Sequence, residues 1–519
     1  MLTVVPIGLL ASLLMGVLFV PTRGRLSPAS GRVSPIDGDM RAPSLYCLLS
    51  GLAWWLSLFA VTCLISQRLY FAITLVVVLH GVLIAVNYTK FTALKEPFIL
   101  QDFEYFTDAL RHPQLYIPFF GVVKTFLLLT AGAAAIGLFF WFEAPLYRQA
   151  NAEWQGPVFT LAVAIVAAMS AWVIRPCLSL DPLKDVQATG LIALLHSHLA
   201  EYWLSRKRTF AEPATQWPQF DPGNPRPHLV MVQSESFFDP RRCYPFIEPS
   251  VLKNWDACCT VAAASGQLSV PAWGANTVRT EAAILTGLSQ AMLGIYQYNP
   301  YRRLAKRPVH SLASHLRAQG YKTICVHPYP AQFYLRDRVM PALGFDQFID
   351  ISEFDHAHRS GQYIGDQAVA DKVTGLLAAA EEPVFIFVIT MENHGPLHLE
   401  QPDPELETNA YRAPPEGPLQ DLTAYLRHLK NADQMLAQVT SAVQATDRGG
   451  SLCWYGDHVP IMSDVYRHFG EPEATTPWLI WSTGTEQKAR VLERTDVPPL
   501  GAESLSEHWL QTVKECHRI

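Results

Sequence analysis

Residues 271–288 read PAWGANTVRTEAAILTGL, a Pro- and Gly-containing loop that runs into a helical pattern, with Asn276 and Thr277 at the junction and Glu281 four residues beyond Thr277. A Thr at such a junction is ordinarily a helix cap. It becomes a nucleophile if a metal ion meets its hydroxyl, because the metal lowers the pKa of the alcohol and makes an alkoxide available near neutral pH. The N-terminus of the following helix favours the same negative charge. Metal-ligating residue types stand elsewhere in the chain, each just after a short apolar run. Gln-Ser-Glu235 follows LVMV (229–232), and His327 follows TICV (323–326). Thr-Met-Glu-Asn393-His394 follows VFIFVI (384–389), and Gly-Asp457-His458 follows LCWY (452–455). Glu235, Asp457 and His458 form a mixed oxygen and nitrogen set that suits Mn²⁺, Zn²⁺ or Mg²⁺, with Thr277 as a further ligand. Each residue alone has an ordinary reading: a solvated loop Glu, an Asp-His turn, a structural His at 327 or 394. Their joint placement carries the inference.

The elements that position them follow from the texture of the chain after residue 228. The four apolar runs and WLIW (478–481) read as buried strands. Between them lie helical patterns: 309–320, ending in a Gly cap; 366–380, starting with an Asp cap; and 419–439, with Leu and Met at three- and four-residue steps. Strands alternating with helices predict a mostly parallel α/β sheet covered on both faces. In open α/β sheets sites form at the carboxyl ends of the strands, which is where the carboxylates and histidines fall.

The first 180 residues have a different texture. Half of the 519 residues are hydrophobic and 17% are charged, and the excess of apolar residues is concentrated here. Segments 1–21, 43–66, 69–89, 125–142 and 157–174 are uncharged apart from His80. Each approaches the ~20 residues needed to cross the hydrocarbon core, which predicts five transmembrane helices. Segment 185–208 places Leu191, Leu194, Leu195, Leu199 and Trp203 near helical spacing before the cluster Arg206, Lys207 and Arg208. It reads either as an amphipathic helix at the membrane surface or as a helix packed on the soluble domain. A Pro-rich linker, 211–227, follows. The expected organisation is a transmembrane domain over 1–180, an interfacial helix and linker over 181–227, and a catalytic domain over 228–519. A net charge of −6 gives no support for nucleic-acid binding. Five spans place the two ends on opposite sides of the membrane. Arg23, Arg25, Arg32 and Arg41 in the first loop, and Lys90, Lys95 and Arg111 in the third, would by charge bias lie in the cytoplasm with the C-terminal domain.

The motifs VQSESF, GANTVRTE, FYLR, ENHGP and YGDH, taken in order, resemble those of the lipoteichoic acid synthase-like phosphoglycerol transferases of the alkaline phosphatase/sulfatase superfamily. The resemblance covers the chain from about residue 228 onward, and the five-span N-terminal part has the same layout. It implies a sulfatase-like α/β fold in which Glu235, Asp457 and His458 are metal ligands together with Thr277, which is the nucleophile. It implies that His327, Tyr334 and Arg336 hold the phosphate and glycerol headgroup, with Tyr334 where the family often has Trp, and that His394 is a further headgroup-binding residue. The implied cofactor is one divalent ion, Mn²⁺ ahead of Mg²⁺ or Zn²⁺. The implied reaction has two steps: Thr277 takes the phosphoglycerol of phosphatidylglycerol and releases diacylglycerol, then a glycan or polymer hydroxyl accepts the headgroup. The implied setting is the cytoplasmic (inner) membrane with the catalytic domain facing the periplasm or cell exterior, opposite to what the loop charges predict.

Three rivals remain at this stage. A phosphoethanolamine transferase would share the Thr, the metal and the anchor. A sulfatase-fold phosphodiesterase would share the fold, but a true sulfatase needs Cys or Ser in C-x-P-x-R at the helix start, and the nearest match, CYPFI at Cys243, lacks the Arg and precedes the helix. A membrane scaffold or sensor that kept the fold without its chemistry would more readily have lost one of the four metal and nucleophile positions, all of which are filled here.

Overall fold

The computed structural model describes residues 44–104, 122–146, 155–210, 216–307, 309–400, 409–413, 415–483 and 498–519. Two compact units divide between Arg208 and Thr209. In the first, α1 (Leu45–Ser66), α2 (Leu69–Leu94) and α4 (Gln155–Val173) are long and apolar enough to cross a membrane. The expected segment at 125–142 lies in α3 (Val122–Phe142), which carries the shorter apolar stretch Thr130–Phe142. The expected segment at 1–21, and the loop charges Arg23, Arg25, Arg32, Arg41 and Arg111, lie outside the described residues. Large apolar side chains such as Ile65, Leu138, Trp141 and Val166 are exposed on these helices, as expected of surfaces that face lipid.

The segment expected as one amphipathic helix is two. Gly190, at φ +82°, separates α5 (Pro182–Thr189) from α6 (Leu191–Ser205). The Asp181 carboxylate caps α5 by accepting from the amides of Leu183 and Lys184. Leu191, Leu194 and Leu195 are buried, and the Tyr46 hydroxyl of α1 donates to the Ala193 carbonyl. Leu199 and Trp203, expected on the same stripe, are exposed, and the Arg206 guanidinium lies 3.5 Å from the centroid of the Trp203 ring.

The second unit is built on an eight-stranded sheet: β1 (His228–Ser234), β2 (Ala264–Ser269), β3 (Lys322–Val326), β4 (Gln347–Ile349), β5 (Val384–Ile389), β6 (Gly450–Gly456), β7 (Thr475–Ser482) and β8 (Leu500–Gly501). The spatial order is β8-β2-β7-β6-β1-β5-β3-β4, and only β7 runs against the rest. The expected mostly parallel sheet is therefore present. Continuous apolar runs make central strands because alternate residues feed two cores. Val230, Val232, Ile386, Val388 and Trp454 point to one, which is closed by α9 (Asp366–Ala378) and α10 (Gln420–Gln444). Leu229, Met231, Phe385, Phe387 and Cys453 point to the other, which is closed by α7 (Thr277–Thr286), α8 (Leu312–Ala318) and α11 (Ala502–His517).

Two caps differ from expectation. Gly365, not Asp366, is the N-cap of α9, and the Asp366 carboxylate makes no cap bond. The N-cap of α7 is Asn276, at φ +67°, so Thr277 is the first helical residue and is not a cap.

Candidate active site

β1 ends at Ser234 and the chain turns through Ser236 at φ +50°. The Glu235 amide donates to the Thr390 hydroxyl just past β5, at 3.0 Å. The Ser236 amide donates to Asp457 Oδ1 at 2.8 Å, and its hydroxyl donates to Glu235 Oε1 at 2.9 Å. Asp457 Oδ1 also accepts from the His458 amide at 3.0 Å, while Oδ2, fully buried, has no hydrogen-bond partner. His458 Nδ1 lies 3.1 Å from the Val459 carbonyl. A carbonyl can only accept, so the ring proton belongs on Nδ1 and the Nε2 lone pair is turned inward. Nε2 lies 3.3 Å from Asp457 Oδ2, 3.6 Å from Glu235 Oε1 and 3.4 Å from Thr277 Oγ1. The Thr280 hydroxyl, one turn into α7, donates to the Asp457 carbonyl at 2.9 Å and ties the helix to the ligand-bearing turn.

One ligand atom each from Glu235, Asp457 and His458 lies within 4.8 Å of the others, and all three side chains are buried. Burial, and next the Asp457 carboxylate, raise the pKa of Glu235 well above the ordinary carboxylate range. Two adjacent carboxylates out of water are costly unless a positive charge sits between them. An orphaned buried oxygen, a second carboxylate and an inward imidazole lone pair fit a divalent cation. The structure thus brings Glu235, Asp457, His458 and Thr277 to one point from the ends of β1 and β6 and the start of α7.

His327, Arg336, Tyr334 and His394 stand beside this cluster. Arg336 Nη1 donates to His327 Nε2 at 3.0 Å, and His327 Nδ1 donates to the Ile389 carbonyl at 3.1 Å. Burial, and next Arg336, hold His327 well below its usual range, so it is a neutral imidazole. Burial works against the Arg336 charge, but Glu281 more than offsets it and keeps the guanidinium charged. The Tyr334 ring centroid is 5.3 Å from that guanidinium. His394 Nδ1 donates to the Gly395 carbonyl at 2.8 Å and lies 3.2 Å from the Tyr363 hydroxyl. Its pKa is also lowered, first by burial. Arg336 acts electrostatically on both Glu235 and His394, which places the two sets in one field.

Among the described residues of the second unit, the non-Gly residues with left-handed backbones, apart from the C-terminal Arg518, are Ser236, Asn276, Tyr334 and Leu335. They adjoin Glu235, Thr277 and Arg336. Such conformations cost energy and collect where a side chain must be aimed. Sequence reasoning missed Ser236, Thr390 and Tyr425, whose hydroxyl donates to the Ser236 carbonyl at 2.8 Å and accepts from the Phe238 amide at 3.0 Å. Ser236 was within reach as the neighbour of Glu235. Tyr425 is 189 residues away from Ser236 and had no local signal.

A family model described as Sulfatase matches residues 227–512. A putative cyclic beta-1,2-glucan modification protein of Rhizobium meliloti is 28% identical over 291 residues, 51% of this chain and 43% of that protein. The capsular polysaccharide biosynthesis protein RkpI of the same organism is 31% identical over 253 residues, 47% of this chain and 44% of that protein. The aligned regions thus span less than half the length of these curated relatives. Lipooligosaccharide phosphoethanolamine transferase A of Neisseria meningitidis superposes on 99% of this chain and 95% of its own, with a TM-score of 0.58 at 12% identity, which is likeness of fold alone.

Proposed function

The chain belongs to the sulfatase family, and from that premise we propose that it is a membrane-anchored, metal-dependent transferase that moves phosphoglycerol from phosphatidylglycerol to a glycan hydroxyl through Thr277. The observation that carries the reading is Thr277 Oγ1 at 3.4 Å from the inward nitrogen of His458, on a helix whose cap it does not supply. Glu235, Asp457, His458 and Thr277 would hold one divalent ion, Mn²⁺ by preference, which supplies the charge that lowers the pKa of the hydroxyl and offsets that of the phosphoryl oxygens. Thr277 Oγ bonds to phosphorus as the bond to the diacylglycerol oxygen breaks, and the Thr277 proton ends on that oxygen. In the second step a glycan oxygen displaces Thr277, which regains a proton. The start of α7 favours the negative charge at both steps. Arg336 holds the phosphoryl oxygens, with His327, Tyr334 and His394 around the headgroup.

The motifs FYLR and GANTVRTE favour glycerol over ethanolamine. The glycans named in both Rhizobium relatives support a glycan acceptor. The outward-facing orientation rests on the family resemblance, since a lipid headgroup is transferred where surface glycans lie.

The test is release of fluorescent diacylglycerol from labelled phosphatidylglycerol by the full chain in detergent with Mn²⁺, beside Thr277→Ala. Release that disappears in the variant and with chelator supports the reading. Release only from phosphatidylethanolamine changes the headgroup and keeps the mechanism. Release untouched by Thr277→Ala removes that residue from the chemistry.

A further inference from the structure

Resting on that reading, we propose that Glu281 is a positioning residue for the transfer: it clamps one edge of the Arg336 guanidinium so that the other edge faces the phosphoryl group. Glu281 sits one turn beyond Thr277 on α7 and is fully buried. Its Oε2 accepts from Arg336 Nε at 3.2 Å and from the Tyr301 hydroxyl at 2.7 Å. Its Oε1 accepts from Arg336 Nη2 and from Gln233 Nε2, the latter at 3.2 Å. Gln233 Oε1 in turn accepts from the Tyr455 hydroxyl at 2.7 Å.

The network therefore touches every segment that carries a site residue. Gln233 is two residues before Glu235, Tyr455 two before Asp457, and Glu281 four after Thr277. Arg336 continues it through His327 to the carbonyl of Ile389, five residues before His394. Arginine has five N–H groups. Here Nε–H and one on Nη2 go to Glu281, and one on Nη1 goes to His327. Among the described residues one N–H on each Nη has no hydrogen-bond partner, and two such donors can match two phosphate oxygens. Four donors converge on one carboxylate, so Glu281 cannot swing away, and Arg336 cannot turn its fork without breaking both bonds.

The experiment is a double-mutant cycle on the full chain in detergent, with Glu281→Gln, Arg336→Lys and the double variant. It is read on kcat/KM for fluorescent phosphatidylglycerol, on orthophosphate binding and on Mn²⁺ affinity. Glu281→Gln should lower kcat/KM and weaken orthophosphate on the order of 10- to 100-fold, the scale of a charged hydrogen-bonded pair. Mn²⁺ affinity should stay within about twofold, because the metal ligands keep their own bonds. In the Arg336→Lys background Glu281→Gln should add less than about threefold, since the fork it orients is gone. Additive losses, or Mn²⁺ affinity that falls in step with activity, would overturn the proposal. Should Glu281→Gln not fold, Tyr301→Phe, which removes one bond to Glu281, replaces it under the same criteria with a smaller expected loss. If the wild-type chain cleaves no phospholipid, the donor assignment fails and the cycle is still decided on orthophosphate. Wild-type protein that binds no orthophosphate also overturns this proposal.

Discussion

Asp366 shows what an uncompensated residue does at this site. Both of its carboxyl oxygens are buried without a hydrogen-bond partner, and its own amide donates to Glu392 Oε2 at 2.7 Å. Burial first, then the charge of Glu392, raise its pKa well above the ordinary carboxylate range. The folded chain therefore keeps a proton that the unfolded chain releases near pH 3.9, and the folded state loses stability as pH rises above that value. Asp366→Asn removes the loss. Its Tm relative to wild type should rise between pH 5 and pH 8 by roughly 2 °C or more, followed by circular dichroism. A difference that stays constant over that range would contradict the assignment. The contrast with Glu235 and Asp457 explains what was legible at this scale. Those two, with His458 and Thr277, announce themselves as polar residues directly after apolar runs. Glu281 stood in the sequence only as a spacing, because its partners Arg336, Tyr301 and Gln233 come from three other segments and are brought to it by packing.

Among elements, the strands with unbroken apolar runs were legible, since β1, β3, β5, β6 and β7 lie inside the sheet and bury both faces. β2, ASGQLS, was not, because it is largely half-buried and has no such run. β4 and β8 have three and two residues and carry no periodicity. What the elements add to the site is close approach. Gly456, the last residue of β6, has no room for a side chain: a Cβ there would overlap the Phe237 carbonyl in the turn that follows Glu235. The two ligand-bearing turns can touch only because position 456 is Gly. Gly456→Ala should force them apart, destabilise the fold by about 1–3 kcal/mol and weaken Mn²⁺ binding at least several-fold, measured by denaturant titration and by calorimetry. Unchanged metal affinity would mean that the turns are not coupled.

At the scale of the whole molecule, the chain divides into two compact units between Arg208 and Thr209. The apolar helices stay within the first, and the sheet, both cores and all eight candidate site residues stay within the second. On the proposed function both units have a use: a lipid donor would be met at the membrane, while the transfer itself needs a rigid, water-excluding site. The break at Gly190 was not legible, since the residues on either side continue a helical pattern and only its left-handed backbone separates them. The defining step of the proposed reaction is transfer of the headgroup onto Thr277. It is tested most directly by mass spectrometry of the full chain after incubation with phosphatidylglycerol vesicles and Mn²⁺ in the absence of acceptor. A glycerophosphoryl adduct is expected on the peptide that contains Thr277, lost with chelator and discharged when a glucan is added. Turnover of the lipid with no adduct on Thr277, or an adduct on another residue, would contradict it.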